Sequence, residues 1–154
     1  MHAVHILHQY LRRYCPGVHL KRLAALLACV SAALLGQRIT LSELGRALPS
    51  RAQVKHSIKR VDRLLGNRQL AAERFDIYQA IARLLVADVQ RPVILVDWSD
   101  LTADRRWQLL RAALPVGGRA LTLYEEVHPL RHFANRRVHG AFLGYEWGQA
   151  WLIA

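Results

Sequence analysis

Asp97 is placed as a side chain that could do chemistry. It follows four consecutive aliphatics, Val93 to Val96, in the stretch RPVILVDWSD that spans residues 91–100. A short apolar run bounded by a proline and a polar cluster reads as a strand, Val93–Asp97, buried on both faces. A carboxylate at the end of such a strand is held rigidly by the sheet, as a catalytic acid or metal ligand must be. The commoner use of the position is plainer: a strand-end acid that opens a turn with Ser99 and Asp100. The residues alone leave both readings standing.

A second group is cationic. Arg51, Lys55, Lys59 and Arg63 stand four apart, with His56 and Arg60 beside them and Asp62 as the interruption. On a helix they form a positive stripe that can reach successive phosphates and release their counterions. Reading base edges needs donors near the helix start, where Arg51 and Gln53 are the candidates. The alternative is a solvated face. The whole chain tilts the choice: 22 Lys and Arg against 11 Asp and Glu give +11 over 154 residues. Such a balance points to a polyanion, nucleic acid before an anionic membrane surface.

The remaining candidates carry less. His2, His5 and His8 recur every third residue, but no acid or cysteine lies nearby to complete a ligand set, so they read as the wet side of a helix. Cys15 and Cys29 lack the Cys-x-x-Cys spacing and suggest a reducing compartment without a metal ribbon. No secretory pattern opens the chain, and the most apolar segment, Leu23–Leu35, is too short to span a bilayer. The expectation is a cytoplasmic protein with no membrane partner.

The elements that must position these residues fall into two halves. Apolar residues at helical spacing mark a first helix over residues 4–14, stopped by Pro16-Gly17, and a second from Leu20 to Leu34, rich in alanine and closed by Gly36. Thr40 and Glu43 form a capping-box pattern ahead of a third helix. Ser50 and Gln53 repeat it ahead of a fourth, with inner face Val54, Ile58, Val61 and Leu65 and Gly66 in the C′ position. Two short helices, the second basic, make a helix-turn-helix-like unit. A fifth helix presents Leu70, Phe75, Tyr78, Ile81, Leu84 and Leu85. From Arg91 the period changes. Strands are expected at Val93–Asp97, Trp107–Leu114 and Ala120–Val127, the last two joined at Gly117-Gly118, and a basic helix over Arg131–Leu143. The fold class is therefore α+β, with residues 1–90 helical and residues 91–154 built on strands.

Taken together, HLKRL (19–23), LSELGRALP (41–49), KHSIKRVDRLLGN (55–67), VILVDWSD (93–100) and LTLYEE (121–126) resemble the insertion-sequence-four family of bacterial cut-and-paste transposases. The resemblance runs in register over about residues 5 to 142. It implies a helical domain that binds the terminal inverted repeats of double-stranded DNA, then a ribonuclease-H-like catalytic domain. The strands at 91–154 would be the first three of that domain, with part of a helix. In that family three carboxylates, Asp, Asp and Glu, hold two Mg2+ or Mn2+ ions, and Asp97 matches the first, as both catalytic residue and metal ligand. Several oxygen ligands are needed to activate a nucleophile and steady the leaving oxygen, and one carboxylate does not supply them.

The sequence departs from the family at the other two. Asp100, Asp104, Glu125, Glu126 and Glu146 fall outside the matching motifs, and no Tyr–Arg–Glu–Lys signature is present. The expectation is a truncated transposase, from a frameshift or early stop, that binds DNA without cleaving it. A non-catalytic helix-turn-helix protein that inhibits transposition is the alternative. The family works on paired transposon ends, so a homodimer is among the partners to test, and the location would be the bacterial nucleoid. In the ribonuclease-H-like arrangement the first strand is central, so without a fourth strand an open edge beside Asp97 is expected.

Overall fold

Five helices come first: α1 (His2–Tyr14), α2 (Leu20–Leu35), α3 (Leu41–Ala47), α4 (Val54–Leu65) and α5 (Arg68–Val86). Three strands follow, β1 (Leu95–Asp100), β2 (Trp107–Val116) and β3 (Arg119–Pro129), then a 3-10 turn at Leu130–His132 and α6 (Arg136–Gly144). This computed structural model describes residues 2–36 and 38–144, so Glu146 and the tail after Gly144 lie outside the described residues. The class is α+β, as expected. The chain divides into two compact units, the first ending at Ala80 and the second opening at Ile81. That division falls inside α5, upstream of the change of period near residue 90.

In the helical unit, alanines let helices meet closely. Ala32 of α2 shares a core with Leu44, Leu48 and Val61, and Ala28, Cys29, Ala33 and Ala47 pack against it. A close approach is made at Gly45 of α3. A Cβ there would lie 2.7 Å from the Ile58 Cα and 2.8 Å from its backbone nitrogen, so only glycine fits. Arg22 of α2 forks onto Glu73 of α5, with Nε donating to Oε2 at 2.9 Å and Nη2 to Oε1, while Nη1 donates to Gln69 at 2.9 Å. The Tyr10 hydroxyl donates to the Ala80 carbonyl at 3.0 Å and ties α1 to α5.

Several local expectations need correction. Thr40 Oγ1 accepts from the Glu43 amide at 3.2 Å as a cap should, but the Glu43 carboxylate takes Arg46 at 2.8 Å. The second capping box does not form. Ser50 Oγ accepts from the Ala52 amide at 3.1 Å, a nearer donor, and α4 starts behind Gln53 with no side-chain cap. Gly66 closes α4 at φ −83°, outside the left-handed region. The inner face of α4 is Ser57, Val61 and Leu64 with half-buried Ile58, whereas Val54 and Leu65 overhang its partners and stay exposed. Leu84 of α5 is exposed too, and Ile77, Ala80, Ala82 and Val86 carry its burial. A cap the sequence did not suggest is His19, whose Nδ1 accepts from the Lys21 amide at 3.2 Å.

The sheet is antiparallel in the order β1-β2-β3. Gly117 (φ 57°) and Gly118 (φ 75°) make the tight turn between β2 and β3, the type I′ signature that suits the twist of a hairpin. Leu123 is the extra residue where the β2–β3 register shifts, and this bulge turns it into a core with Ala82, Val86 and Leu114. The strand buried on both faces is β2, where Leu109, Leu110, Ala112, Ala113 and Leu114 are all buried. The expectation placed that property on Val93–Val96. Val93 and Leu95 are 65% and 51% exposed, because β1 has a neighbour on one side alone among the described residues. β1 also begins later, at Leu95, and runs through Asp97 to Asp100, so Asp97 lies within the strand. The helix expected over Arg131–Leu143 is split. Ala134 turns left-handed at φ 53°, and Asn135 Oδ1 accepts from the Arg137 amide at 2.9 Å to start α6.

Candidate nucleic-acid interface

The fourth helix collects the cationic residues. Burying Ser57, Val61 and Leu64 against α2 and α3 turns Lys55, His56, Lys59, Arg60 and Arg63 outward, and all five are exposed. Lys55, Lys59 and Arg63 are one turn apart in succession, about 6 Å of helix rise each. Asp62 is exposed and lies toward one margin of the stripe. Arg51 and Gln53 are exposed in the segment that leads into α4. The whole sequence-derived set therefore lies on one helix and its approach, held by the Gly45–Ile58 contact with α3. This arrangement can neutralise phosphates along a groove, and long cationic side chains on a fixed axis do so without prior ordering of a loop.

Asp97 belongs to the other unit. It is exposed, and its cross-strand partner on β2 is Arg111, which in turn faces Glu125 on β3. The row reads acid, base, acid across the sheet. Arg111 Nε lies 3.4 Å from Glu125 Oε2, an ion-pair distance, yet Nε is buried and makes no hydrogen bond. Opposite charges directly across a ladder stabilise the register. They do not form a cation site: a guanidinium holds the centre of the row. No group of three His, Cys, Asp or Glu able to hold a metal occurs among the described residues. Asp97 and its described neighbours thus do not fit a two-ion centre, and no chemical step follows from them.

The opposite face of the sheet holds a cluster that sequence reasoning missed. The Trp98 ring stacks on His139 of α6 at 5.6 Å between centroids and meets His128 and Phe133 edge-on at 5.5 and 5.7 Å. The Trp98 indole nitrogen donates to His139 Nε2. Glu126 accepts from the Tyr124 hydroxyl at 2.7 Å and lies 3.1 Å from His128 Nε2. Gln108, buried, donates to Asp100 at 2.9 Å and to the Arg105 carbonyl at 3.0 Å. Tyr124, Glu126 and His128 alternate along β3, and that period of two was the available signal. The polar atoms here largely satisfy one another, so the cluster fastens the 3-10 turn and α6 to the sheet.

No helix among the described residues is long and apolar enough to cross a membrane. No protein-family model, curated protein or solved structure matches the chain.

Proposed function

We propose that this chain binds double-stranded DNA through α4, as the transposon-end-binding part of a cut-and-paste transposase of the insertion-sequence-four kind. The observation that carries the DNA-binding step is the outward display of Lys55, His56, Lys59, Arg60 and Arg63 on one helix fixed by a close helix crossing. The transposase identity rests on the sequence blocks that resemble the family. Their order is consistent with a helical unit followed by a sheet. In this reading β1–β3 open a ribonuclease-H-like domain, and among the described residues β1 has its unpaired side where a further strand would add. The setting would be the bacterial nucleoid.

The test is retardation of a duplex carrying the terminal inverted repeats, compared with a scrambled duplex of equal length. Lys55→Glu with Lys59→Glu should lower affinity about tenfold or more at low salt, and reduce the salt slope by about two. Unchanged retardation would leave the stripe a solvated face.

A second reading keeps DNA binding and drops catalysis, as in a helix-turn-helix inhibitor that competes for transposon ends. The Asp97–Arg111–Glu125 row favours it, because a cation occupies the middle of the row. Nicking of end DNA that depends on Mg2+ or Mn2+ and is abolished by Asp97→Ala would decide for the transposase. Binding without nicking is the expected result for this chain.

A further inference from the structure

In the helical unit a concavity of about 260 Å3, open to solvent, lies between α2 and α4; its lining includes Lys21, Arg22, Arg60, Arg63, Cys29 and Asn67, and the rest is apolar. No acid lines it. Arg22 is already neutralised by Glu73, as described above. Among the described residues no ion pair is formed by Lys21, Arg60 or Arg63, so three exposed, uncompensated cations from two helices border the concavity. Like charges around one concavity repel, and an anion that joins them offsets the repulsion, although water and salt screen both effects at an open site. Asn67 spends its Oδ1 on the Leu70 amide at 2.9 Å, where it caps α5, which leaves its amide nitrogen as a neutral donor.

Size narrows the choice of anion. The cavity lies below the roughly 300–1,000 Å3 of sites that bury a drug-sized ligand. It would accommodate a phosphate group with a few waters, each taking about 30 Å3. Two arginines and a lysine are the donor set that such a group favours: forked guanidinium contacts and one mobile point charge.

We propose that this cavity is a phosphate-binding pocket, and that it seats a backbone phosphate of bound DNA, extending the footprint of α4 onto α2. The source of the phosphate rests on the DNA-binding reading; the pocket itself does not.

Cys29 makes the test local. It lines the cavity and is partly accessible, whereas Cys15 is buried. Burial pushes the Cys29 thiol up and the Arg60 charge pulls it back, as expected for a thiol beside that guanidinium. The full chain is treated with iodoacetamide, an uncharged reagent, and alkylation at Cys29 is followed by mass spectrometry. Additions are inorganic pyrophosphate or the inverted-repeat duplex. At twice the dissociation constant of either, about one third of the pockets stay open, so alkylation should slow about threefold. Lys21→Glu, an exposed change outside the α4 stripe, should remove the protection, and Lys21→Gln should weaken it. Lys55→Glu, outside the pocket, should keep protection by pyrophosphate.

Protection by pyrophosphate with no retardation of DNA would support the pocket and sink the DNA reading, making a free phosphate the ligand. Protection by pyrophosphate with DNA bound but not protecting would place a free phosphate there and overturn the backbone contact. Retardation of DNA with no protection by either ligand would overturn the pocket and leave the DNA reading intact. Protection by DNA that survives Lys21→Glu, with none from pyrophosphate, would reduce the effect to surface shielding and overturn it equally.

Discussion

The helical unit and the sheet unit solve the same problem, burying apolar surface without stranding backbone polar groups, by different means. A helix satisfies its own backbone, so α2, α3 and α4 need only small residues where they touch, and Ala32 and Gly45 supply them. A strand satisfies its backbone through neighbours, and β1 has one neighbour among the described residues. Exposed Val93, Leu95, Leu101 and Trp107 lie along or beside that strand, whereas the exposed outer face of α4 is mostly charged. The first unit displays a cationic helix whose backbone is self-satisfied, although Leu34, Leu35, Ile39 and Leu65 are exposed there too. The second presents an apolar margin that another strand or chain would cover.

The largest expected effect tests the first half of that contrast. Gly45→Ala puts a methyl group against the Ile58 backbone, which cannot rotate aside as a side-chain tip can. Overpacking of this kind costs about 1–3 kcal/mol. Thermal unfolding followed by circular dichroism should show the helical transition lowered, and DNA retardation should weaken along with it because α4 loses its support. An unchanged transition would mean that α3 and α4 do not depend on this crossing.

The second prediction concerns the margin of the sheet. Every second amide of β1 points away from β2 in an antiparallel pair. Hydrogen exchange should therefore alternate between fast and slow along Leu95–Asp100, stay slow through β2, and stay slow in α4. Leu95→Lys should reduce concentration-dependent association, read by light scattering, while stability changes by no more than about 0.5 kcal/mol. Uniformly slow exchange across β1 would show that its free side is covered, and the contrast between the units would fail.

Much of the helical unit was legible because its signals are local. Thr40 before α3, Pro16-Gly17 after α1 and the spacing of Leu23, Leu27 and the alanines each act within a few residues. Gly117-Gly118 is legible for the same reason, since a two-residue hairpin demands positive φ at both positions. The failures come where a choice depends on distant partners. Ser50 matched a capping pattern, but the Ala52 amide was nearer than the start of α4. The run Val93–Val96 reads as doubly buried because apolar content cannot say which strand lies in the middle, and the middle strand is β2. Gly45 gives no signal in sequence, because its meaning is the Ile58 backbone across the crossing. For the candidate site, the stripe on α4 was legible from spacing. The Arg111 opposite Asp97 was not, since register is fixed only when the strands pair.

The smallest effect compares the acid sensitivity of the two units. Arg22 holds the Glu73 carboxyl below its ordinary value, chiefly through their hydrogen bonds, with burial opposing. In the sheet unit the Thr102 hydroxyl and Arg106 do the same to Asp104, but in an exposed loop. A carboxyl lowered in the folded state contributes stability above its unfolded pKa, and that contribution drains away as pH falls through the folded value. For Glu73 the loss therefore begins below the ordinary carboxyl value of 4.5. Glu73→Gln should lower the stability of the helical unit at pH 7 and flatten its acid limb, so that wild type and variant converge as pH falls. Asp104→Asn should change little, because water and salt screen an exposed pair. The check is urea unfolding at a series of pH values, read separately in each unit by NMR. Parallel curves for Glu73→Gln and wild type would remove the Arg22–Glu73 fork from the list of what holds α2 to α5, leaving the apolar contacts and the hydrogen bonds of α1 to fasten that helix.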